Sequence, residues 1–235
     1  MRTLGIIPAR GGSKGLPGKN LAIVGGMPLV WHAVKCAQMT GSITSLVCST
    51  DDEEIAGVAM RAGAEVHDMR PKHLSTDTAS VIDVLDHELH QAQLRGDEYD
   101  AVCLISPTTP LRMPSDIDRV VMAVQNESPM AAAITRCEWN PWLALEDVEG
   151  QVRLALRADN PWIGDVAERQ AYPTAYRIAG SVYCWQKEHL GKDWLVKRFG
   201  GVEIPSLRAV DIDTEDDLRR ARALVKSGEV VLPWL

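Results

Sequence analysis

Ile7-Pro8-Ala9-Arg10-Gly11-Gly12-Ser13-Lys14-Gly15-Leu16-Pro17-Gly18-Lys19-Asn20 is the stretch on which the reading of this chain turns. The apolar run from Thr3 to Ile7 leads into it and predicts a buried strand. Beyond it, Pro28 to Met39 predicts a helix with Leu29, Ala33, Cys36 and Ala37 on one face. Between the two lie glycines 11, 12, 15 and 18 and the cations Arg10, Lys14 and Lys19. Glycine lets the backbone turn tightly and aim its amides at a ligand, while cations neutralise anionic oxygens. No acidic residue precedes Asp51, although the chain carries a net charge of −7. The alternative is a flexible surface loop. At a strand's carboxyl end, where open α/β sheets bind ligands, the cluster instead predicts a polyphosphate site.

Two widespread phosphate loops do not fit. A P-loop ending at Gly18-Lys19 would need glycine at 13 and Ser or Thr at 20, where Ser13 and Asn20 stand. A dinucleotide fingerprint starting at Gly11 would need glycine at 13. A redox enzyme or an ATP hydrolase is therefore disfavoured from the first turn onward.

Outward from the loop, strand and helix patterns alternate. Thr44 to Ser49 predicts a strand, and Thr50-Asp51-Asp52-Glu53-Glu54 a helix start with a cap and first-turn acids. Ile55, Val58, Ala59 and Ala62 line that helix and Gly63 stops it. Glu65 to His67 predicts a short strand, Thr78 to Leu94 a helix with Val81, Leu85, Leu89 and Ala92 inward, Ala101 to Ile105 an apolar strand, and Ser115 to Val124 a capped helix. The expected fold is α/β and Rossmann-like: a mostly parallel sheet with helices on both faces. At 235 residues the chain fits one domain, 1–235. The segment 138–180 breaks the pattern, with Trp139, Trp142, Trp162, prolines 141, 161 and 173, and an alternating run from Leu143 to Leu156. It predicts an inserted arm, serving either an intrachain contact or a subunit interface.

Composition excludes several classes. The negative charge argues against a general nucleic-acid binder, and no apolar run reaches the ~20 residues of a membrane span. Arg10 and four glycines interrupt any apolar leader. Cysteines 36, 48, 103, 137 and 184 are odd in number and scattered, which predicts reduced core thiols in a cytoplasmic protein. The six histidines form no catalytic pattern; His87 and His90 are helical neighbours without a third ligand.

Val210-Asp211-Ile212-Asp213-Thr214-Glu215-Asp216-Asp217-Leu218 is the second informative segment. In a strand, Asp211 and Asp213 share a face while Ile212 points inward, and a carboxylate pair at a strand end suits Mg²⁺. Thr214 with Asp217 forms a capping box ahead of Leu218, Ala221 and Leu224, so Glu215, Asp216 and Asp217 read as helix-start charges. On sequence alone Thr50 and Asp51 read as a helix cap, Asp77 or Thr78 as another, and Arg70 as a surface ion-pair partner.

Residues 7–21 resemble the signature of the CMP-sialic acid synthetase (acylneuraminate cytidylyltransferase) family. The match is long and ungapped, and similarity extends over nearly the whole chain. The resemblance implies a nucleotide-diphospho-sugar transferase type of fold, a CTP triphosphate held by the loop, and an arm exchanged across a homodimer. It implies catalytic roles for Arg10, Lys14, Lys19 and Asp211, and nucleotide contacts from Ala9, Arg10, Gly11, Gly12, Ser13, Lys19 and Asn20. Arg70-Pro71 through Leu74 to Asp77-Thr78-Ala79-Ser80 resembles the family's cytosine-wrapping segment, implying that Arg70 reaches the base and Thr78, Ala79 and Ser80 wall it. Asp211 and Asp213 match its metal-binding Asp-x-Asp pair, implying Mg²⁺.

Ser106-Pro107-Thr108-Thr109-Pro110-Leu111-Arg112 resembles the family's QPTSPLR motif, with Ser106 where glutamine is usual. Arg169-Gln170 and Tyr176 to Tyr183 resemble its RQ…YR.NGAIY segment, with Ala179 replacing asparagine. Leu143, beside Pro141 and Trp142, lies where sialate-activating members carry lysine. The resemblance implies acceptor contacts from Ser106, Thr108, Arg112, Arg169, Gln170 and Tyr176. Dropping three acceptor-side groups, each worth ~1–3 kcal/mol in a dry pocket, points away from ordinary sialic acid. The expected reaction is CMP transfer from CTP to a related nonulosonic or keto-sugar acid with pyrophosphate release; a smaller acid such as a phosphonate is the alternative acceptor. A non-catalytic nucleotide-binding module is the rival of another class. The Asp-x-Asp pair argues against it, since binding alone needs no metal site.

Overall fold

A computed structural model describes residues 1–13, 15–126, 128–139, 141–155, 173–191 and 199–235. Among the described residues ten strands run in chain order: β1 (Thr3–Pro8), β2 (Ile23–Val24), β3 (Met27–Pro28), β4 (Ser45–Ser49), β5 (Ala101–Ile105), β6 (Met130–Arg136), β7 (Leu145–Val148), β8 (Gln151–Leu154), β9 (Tyr176–Gln186) and β10 (Gly200–Glu203). The helices are α1 (Leu29–Gln38), α2 (Glu53–Ala62), α3 (Val81–Leu94), α4 (Pro114–Gln125) and α5 (Glu215–Lys226). Six strands form the central sheet in the order β10-β6-β9-β5-β1-β4, all parallel except β9. After β1 the chain places β4 on one side and β5 on the other. The sheet therefore has its topological switch at β1, whose carboxyl end opens into the glycine-rich loop.

The sheet is buried on both faces, which explains why its strands read as continuous apolar runs. Ile7, Cys103 and Ile105 join α1, α2 and α4 in one core, while Leu4, Ile6, Val102 and Leu104 meet Leu85, Leu89 and Trp185 in the other. A third cluster packs α5, through Leu218, Ala221 and Leu224, on Val24, Leu29, Leu111 and Ile212. It sits beneath the site and ties the chain's two informative segments together.

Several boundaries differ from the sequence reading. The helix after β4 is capped by Asp52, whose side chain accepts from the Glu54 and Ile55 amides, rather than by Thr50 or Asp51. Helix α3 begins at Val81 behind a Ser80 cap, so Thr78 is not helical, and Val81 is 40% exposed. Glu65 to His67 contributes a single bridge to Val47 instead of a strand. The expected arm ends early: residues 176–180 belong to β9 in the middle of the central sheet. What departs from the sheet is the hairpin β7–β8, turning at Glu149 and Gly150, both with positive φ. Segment 209–213 pairs in no ladder among the described residues, but Ile212 is fully buried as expected, and its amide donates to the Thr108 carbonyl at 2.9 Å.

Candidate active site

Three strand ends, those of β1, β4 and β5, deliver their loops to one edge of the sheet. There a cavity of about 290 Å³ is lined by Arg10, Ser13, Lys19 and Asn20 from the first loop, Arg70, Leu74, Thr76, Asp77 and Ala79 from the connection between α2 and α3, Val81 and Val84 of α3, and Ser106 to Thr108 after β5. The glycine-rich loop is clamped from two sides. Its Gly11 amide donates to Asp51 Oδ1 at 2.9 Å, and a Cβ on Gly11 would stand 2.7 Å from Asp52 Oδ2. A Cβ on Gly15 would meet the Asp213 carbonyl at 2.6 Å. Only glycine lets the backbone approach that closely, and the loop is thereby fastened to the Asp211–Asp213 segment.

Each described loop cation faces a carboxylate. Arg10 pairs with Asp77 at 2.8 Å and donates to the Thr76 carbonyl at 2.9 Å. Lys19 Nζ lies 2.7 Å from Asp213 Oδ1. Asn20 is buried, donates to the Arg10 carbonyl at 2.8 Å, and leaves its own Oδ1 unpartnered among the described atoms. Arg70 is 6% exposed rather than a surface residue, with its guanidinium on the Ser49 carbonyl and hydroxyl. Burial pulls its pKa below the usual arginine value, and the nearby Asp51 carboxylate opposes that shift.

Asp211 adjoins the lining rather than forming it: half-buried, it accepts from Thr108 Oγ1 at 2.5 Å. Burial pushes its carboxyl above the usual range; the Thr108 bond and Lys19 hold it down, while Asp213 and Asp217 add to the rise. Strand β9 makes room for it: Gly180 has φ +74, and a Cβ there would lie 2.8 Å from Asp211 Oδ2. The register of β6 against β9 shifts at this level, a bulge that re-aims the strand. Behind Asp211, the fully buried Asp116 binds Arg208 at 2.9 Å and Arg119 at 3.0 Å, fixing the chain just before the carboxylates.

No group of three or more His, Cys, Asp or Glu suited to a metal occurs among the described residues. The Asp211–Asp213 pair fits an ion that draws its remaining ligands from phosphates and water, which is the habit of Mg²⁺. An upward-shifted carboxylate beside a second one is also the electrostatic condition that a cation relieves.

The other expected residues fall into three groups. Ala9, Gly11, Gly12, Ser13, Thr78, Ala79 and Ser80 lie at or next to the cavity, with the Ser80 hydroxyl serving as the α3 cap. Arg112 has no exposed surface: its guanidinium donates to Thr109 Oγ1 at 3.0 Å, the Thr109 carbonyl at 3.1 Å and the Ser181 carbonyl at 3.4 Å, so it braces the loop instead of meeting a ligand. Tyr176 is exposed and donates to Glu203 Oε2 at 3.2 Å, apart from the cavity lining. Lys14, Arg169 and Gln170 lie outside the described residues. Of the three departures from the acceptor-side motifs, Ser106 alone lines the cavity. Ala179 is in the core, and Leu143 is exposed at the foot of the hairpin.

Asp51, Asp77 and Gly180 had no role at the site in the sequence reading. Only Gly180, a lone glycine inside a strand pattern, carried a signal of close backbone approach.

A family model described as cytidylyltransferase matches residues 4–192. The chain belongs to the cytidylyltransferase family. It is 34% identical over 231 residues to a pseudaminic acid cytidylyltransferase of Campylobacter jejuni, covering 96% of this chain and 97% of that protein. It is 35% identical over 153 residues to a CMP-N,N'-diacetyllegionaminic acid synthase of Legionella pneumophila, covering 65% of this chain and 66% of that protein. The solved structure of a CMP:2-keto-3-deoxy-manno-octonic acid synthetase complexed with CTP superposes with a TM-score of 0.70 at 17% identity, covering 97% of this chain and all of that one. That likeness establishes a shared fold. In this cytidylyltransferase the switch-point cavity is thus the place to look for chemistry, and no helix among the described residues is long and apolar enough to cross a membrane.

Proposed function

We propose that this cytidylyltransferase moves CMP from CTP to a nonulosonic acid of the pseudaminic or legionaminic kind, releasing pyrophosphate. The observation that carries the reading is one cavity lined by Arg10 and Lys19, with Asp211 bonded to Thr108 of that lining. The 34% identity to a pseudaminic acid cytidylyltransferase along nearly its full length supports the acceptor class.

An acceptor hydroxyl oxygen forms the new bond to the α-phosphorus, its proton leaving to solvent, as the bond to the bridging oxygen of pyrophosphate breaks in line. Catalysis of this kind is mostly positioning and charge neutralisation. Arg10, Lys14 and Lys19 take up the charge that collects on the leaving pyrophosphate. Asn20 and Arg70, with the backbone of Thr78 to Ser80, orient the nucleoside. Asp211 and Asp213 would hold Mg²⁺, which when bound supplies further positive charge to the phosphates. The acceptor lies against Ser106 and Thr108, with Arg169 and Gln170 reaching it by the family resemblance. The hairpin β7–β8 exposes Leu145 and Val152, and Trp139 precedes it, also exposed. A lone two-stranded hairpin is marginal in water. These surfaces support a homodimer joined through the arm. The unpaired cysteines support a reducing, cytoplasmic setting.

The test is pyrophosphate release from CTP and Mg²⁺ across pseudaminic acid, legionaminic acid, sialic acid, 2-keto-3-deoxy-octonic acid and a small phosphonate. Turnover with either of the first two is expected, falling at least a hundredfold in Lys19→Ala and Asp211→Ala while the thermal transition persists. Turnover with the phosphonate alone, or CTP binding without any turnover, would overturn the reading.

A further inference from the structure

We propose that Arg208 is a positioning residue for cytidylyl transfer: clamped on Asp116, it anchors the segment that carries Asp211. The inference rests on the proposed function, which gives Asp211 its task, and extends it to a residue outside the cavity lining.

Asp211 sits on a segment with little regular support of its own. Residues 209–213 pair in no ladder among the described residues, so individual bonds set their place. Beyond Asp211, the Ile212 amide donates to the Thr108 carbonyl at 2.9 Å. Just ahead of it the anchor is Arg208. Its Nη1 lies 2.9 Å from Asp116 Oδ2 and its Nη2 donates to Asp116 Oδ1 at 3.2 Å, a planar fork on a carboxylate with no exposed surface. Asp116 is itself held fast. Its Oδ2 accepts from the Met113 amide at 2.9 Å in the capping box of α4, and its Oδ1 from Arg119 at 3.0 Å. Together these bonds fill the roughly four acceptor sites that a carboxylate has.

Charge balance does not account for the second arginine. Arg119 already neutralises Asp116 from the same helix. Its other bond, to the Glu203 carbonyl at 3.0 Å, ends on β10, before the segment in question begins. Arg208 adds a surplus positive charge on a side chain only 18% exposed, at a cost in lost hydration. Its contribution is geometric. A guanidinium fork fixes both distance and plane, which a lysine, a point charge on a flexible stem, does not. Arg177 supplies a lighter second tether, its Nη2 donating to the Ala209 carbonyl at 3.2 Å. Ala209, Val210 and Ile212 are buried, so a shift at Arg208 is passed along the segment to Asp211 rather than absorbed in solvent.

The experiment compares Arg208→Lys with Arg119→Lys, matched changes on one carboxylate. It reads thermal melting, calorimetric CTP binding in chelator, and pyrophosphate release with pseudaminic acid. Both variants should stay folded with lowered melts and bind CTP within about twofold of the parent. Arg208→Lys alone should lose kcat, by about tenfold or more, because a displacement near 1 Å at reacting groups costs on the order of a hundredfold. Arg119→Lys should keep kcat within about threefold. Arg177→Gln, at an exposed position, should show a smaller loss of the same kind. If Arg208→Lys does not fold, an unchanged kcat in Arg177→Gln overturns the proposal. Equal losses of kcat in the two lysine variants would mark a merely structural cluster and overturn it as well, as would a loss in Arg208→Lys confined to CTP binding. Failure of every sugar acid to turn over with the unmodified enzyme would refute the proposed function and this inference with it. Parent-like turnover in Arg208→Lys would refute the inference alone.

Discussion

Gly180→Ala is the most revealing single change, because it adds one methyl group directly against the carboxylate that the proposed function assigns to the metal. The new Cβ would stand 2.8 Å from Asp211 Oδ2, and ordinary contact begins at 3.4 Å, so one of them must retreat by about 0.6 Å. Asp211 cannot do so while keeping its 2.5 Å bond to Thr108. The backbone adds its own cost: φ is +74, where a side chain costs about 1–2 kcal/mol. For a chain of this length that lowers Tm by roughly 2–8 °C. The protein should therefore remain folded at 25 °C. Transfer should suffer more, because a displacement near 1 Å at reacting groups costs on the order of a hundredfold. The assay pairs a thermal melt with kcat for pyrophosphate release. A variant that melts several degrees lower but turns over within about threefold of the parent would refute the claim that Asp211 must sit where Gly180 allows.

Other outcomes follow from the same geometry. Asp77→Asn should tighten CTP binding by up to about fivefold, since it removes a partly exposed pair worth ~0.2–1 kcal/mol that competes for Arg10, and calorimetry would read weaker binding if Asp77 instead aids the nucleotide. Chelation of divalent ions should abolish pyrophosphate release and added Mg²⁺ should restore it; unimpaired release in chelator would remove the metal from Asp211 and Asp213. Buried His32 has its pKa lowered, mainly by desolvation, with Nε2 on the Val24 carbonyl at 2.8 Å and Nδ1 accepting from Trp234 Nε1 at 2.9 Å. The unfolded chain then binds the extra proton more readily, so its contribution is present above about pH 6.5 and lost as pH falls below it. Urea unfolding at pH 5 and 7 should show a smaller loss on acidification in His32→Gln than in the parent, and an equal loss would contradict this.

The sheet and most of its helices could be read from the sequence because local rules and burial agree there. β5 is apolar throughout because both its faces are covered, and the Thr214–Asp217 capping box announced α5 at its first residue. The misreadings occurred where a side chain had two possible partners. Asp51 and Asp77 both looked like helix caps, yet Asp52 and Ser80 took those positions. Asp51 instead holds the Gly11 amide and Asp77 holds Arg10. Arg70 looked exposed because arginine usually is; the end of β4 supplies the oxygens that let it be buried. Arg112 belonged to a motif expected to meet the acceptor, but the oxygens of Ser106, Thr109 and Ser181 enclosed it completely.

By itself, the sequence determined that a cationic, glycine-rich loop follows the first strand of an α/β sheet, and that a carboxylate pair precedes the last helix. Glycine spacing, charge and hydrophobic period are properties of adjacent residues and survive without coordinates. The tertiary structure alone decided that Gly15 touches Asp213, that Gly180 opens space for Asp211, and that Thr108 binds Asp211. Those contacts join residues about 30 to 200 positions apart. Close packing and hydrogen-bond satisfaction in the assembled core settle them, and no local pattern encodes either.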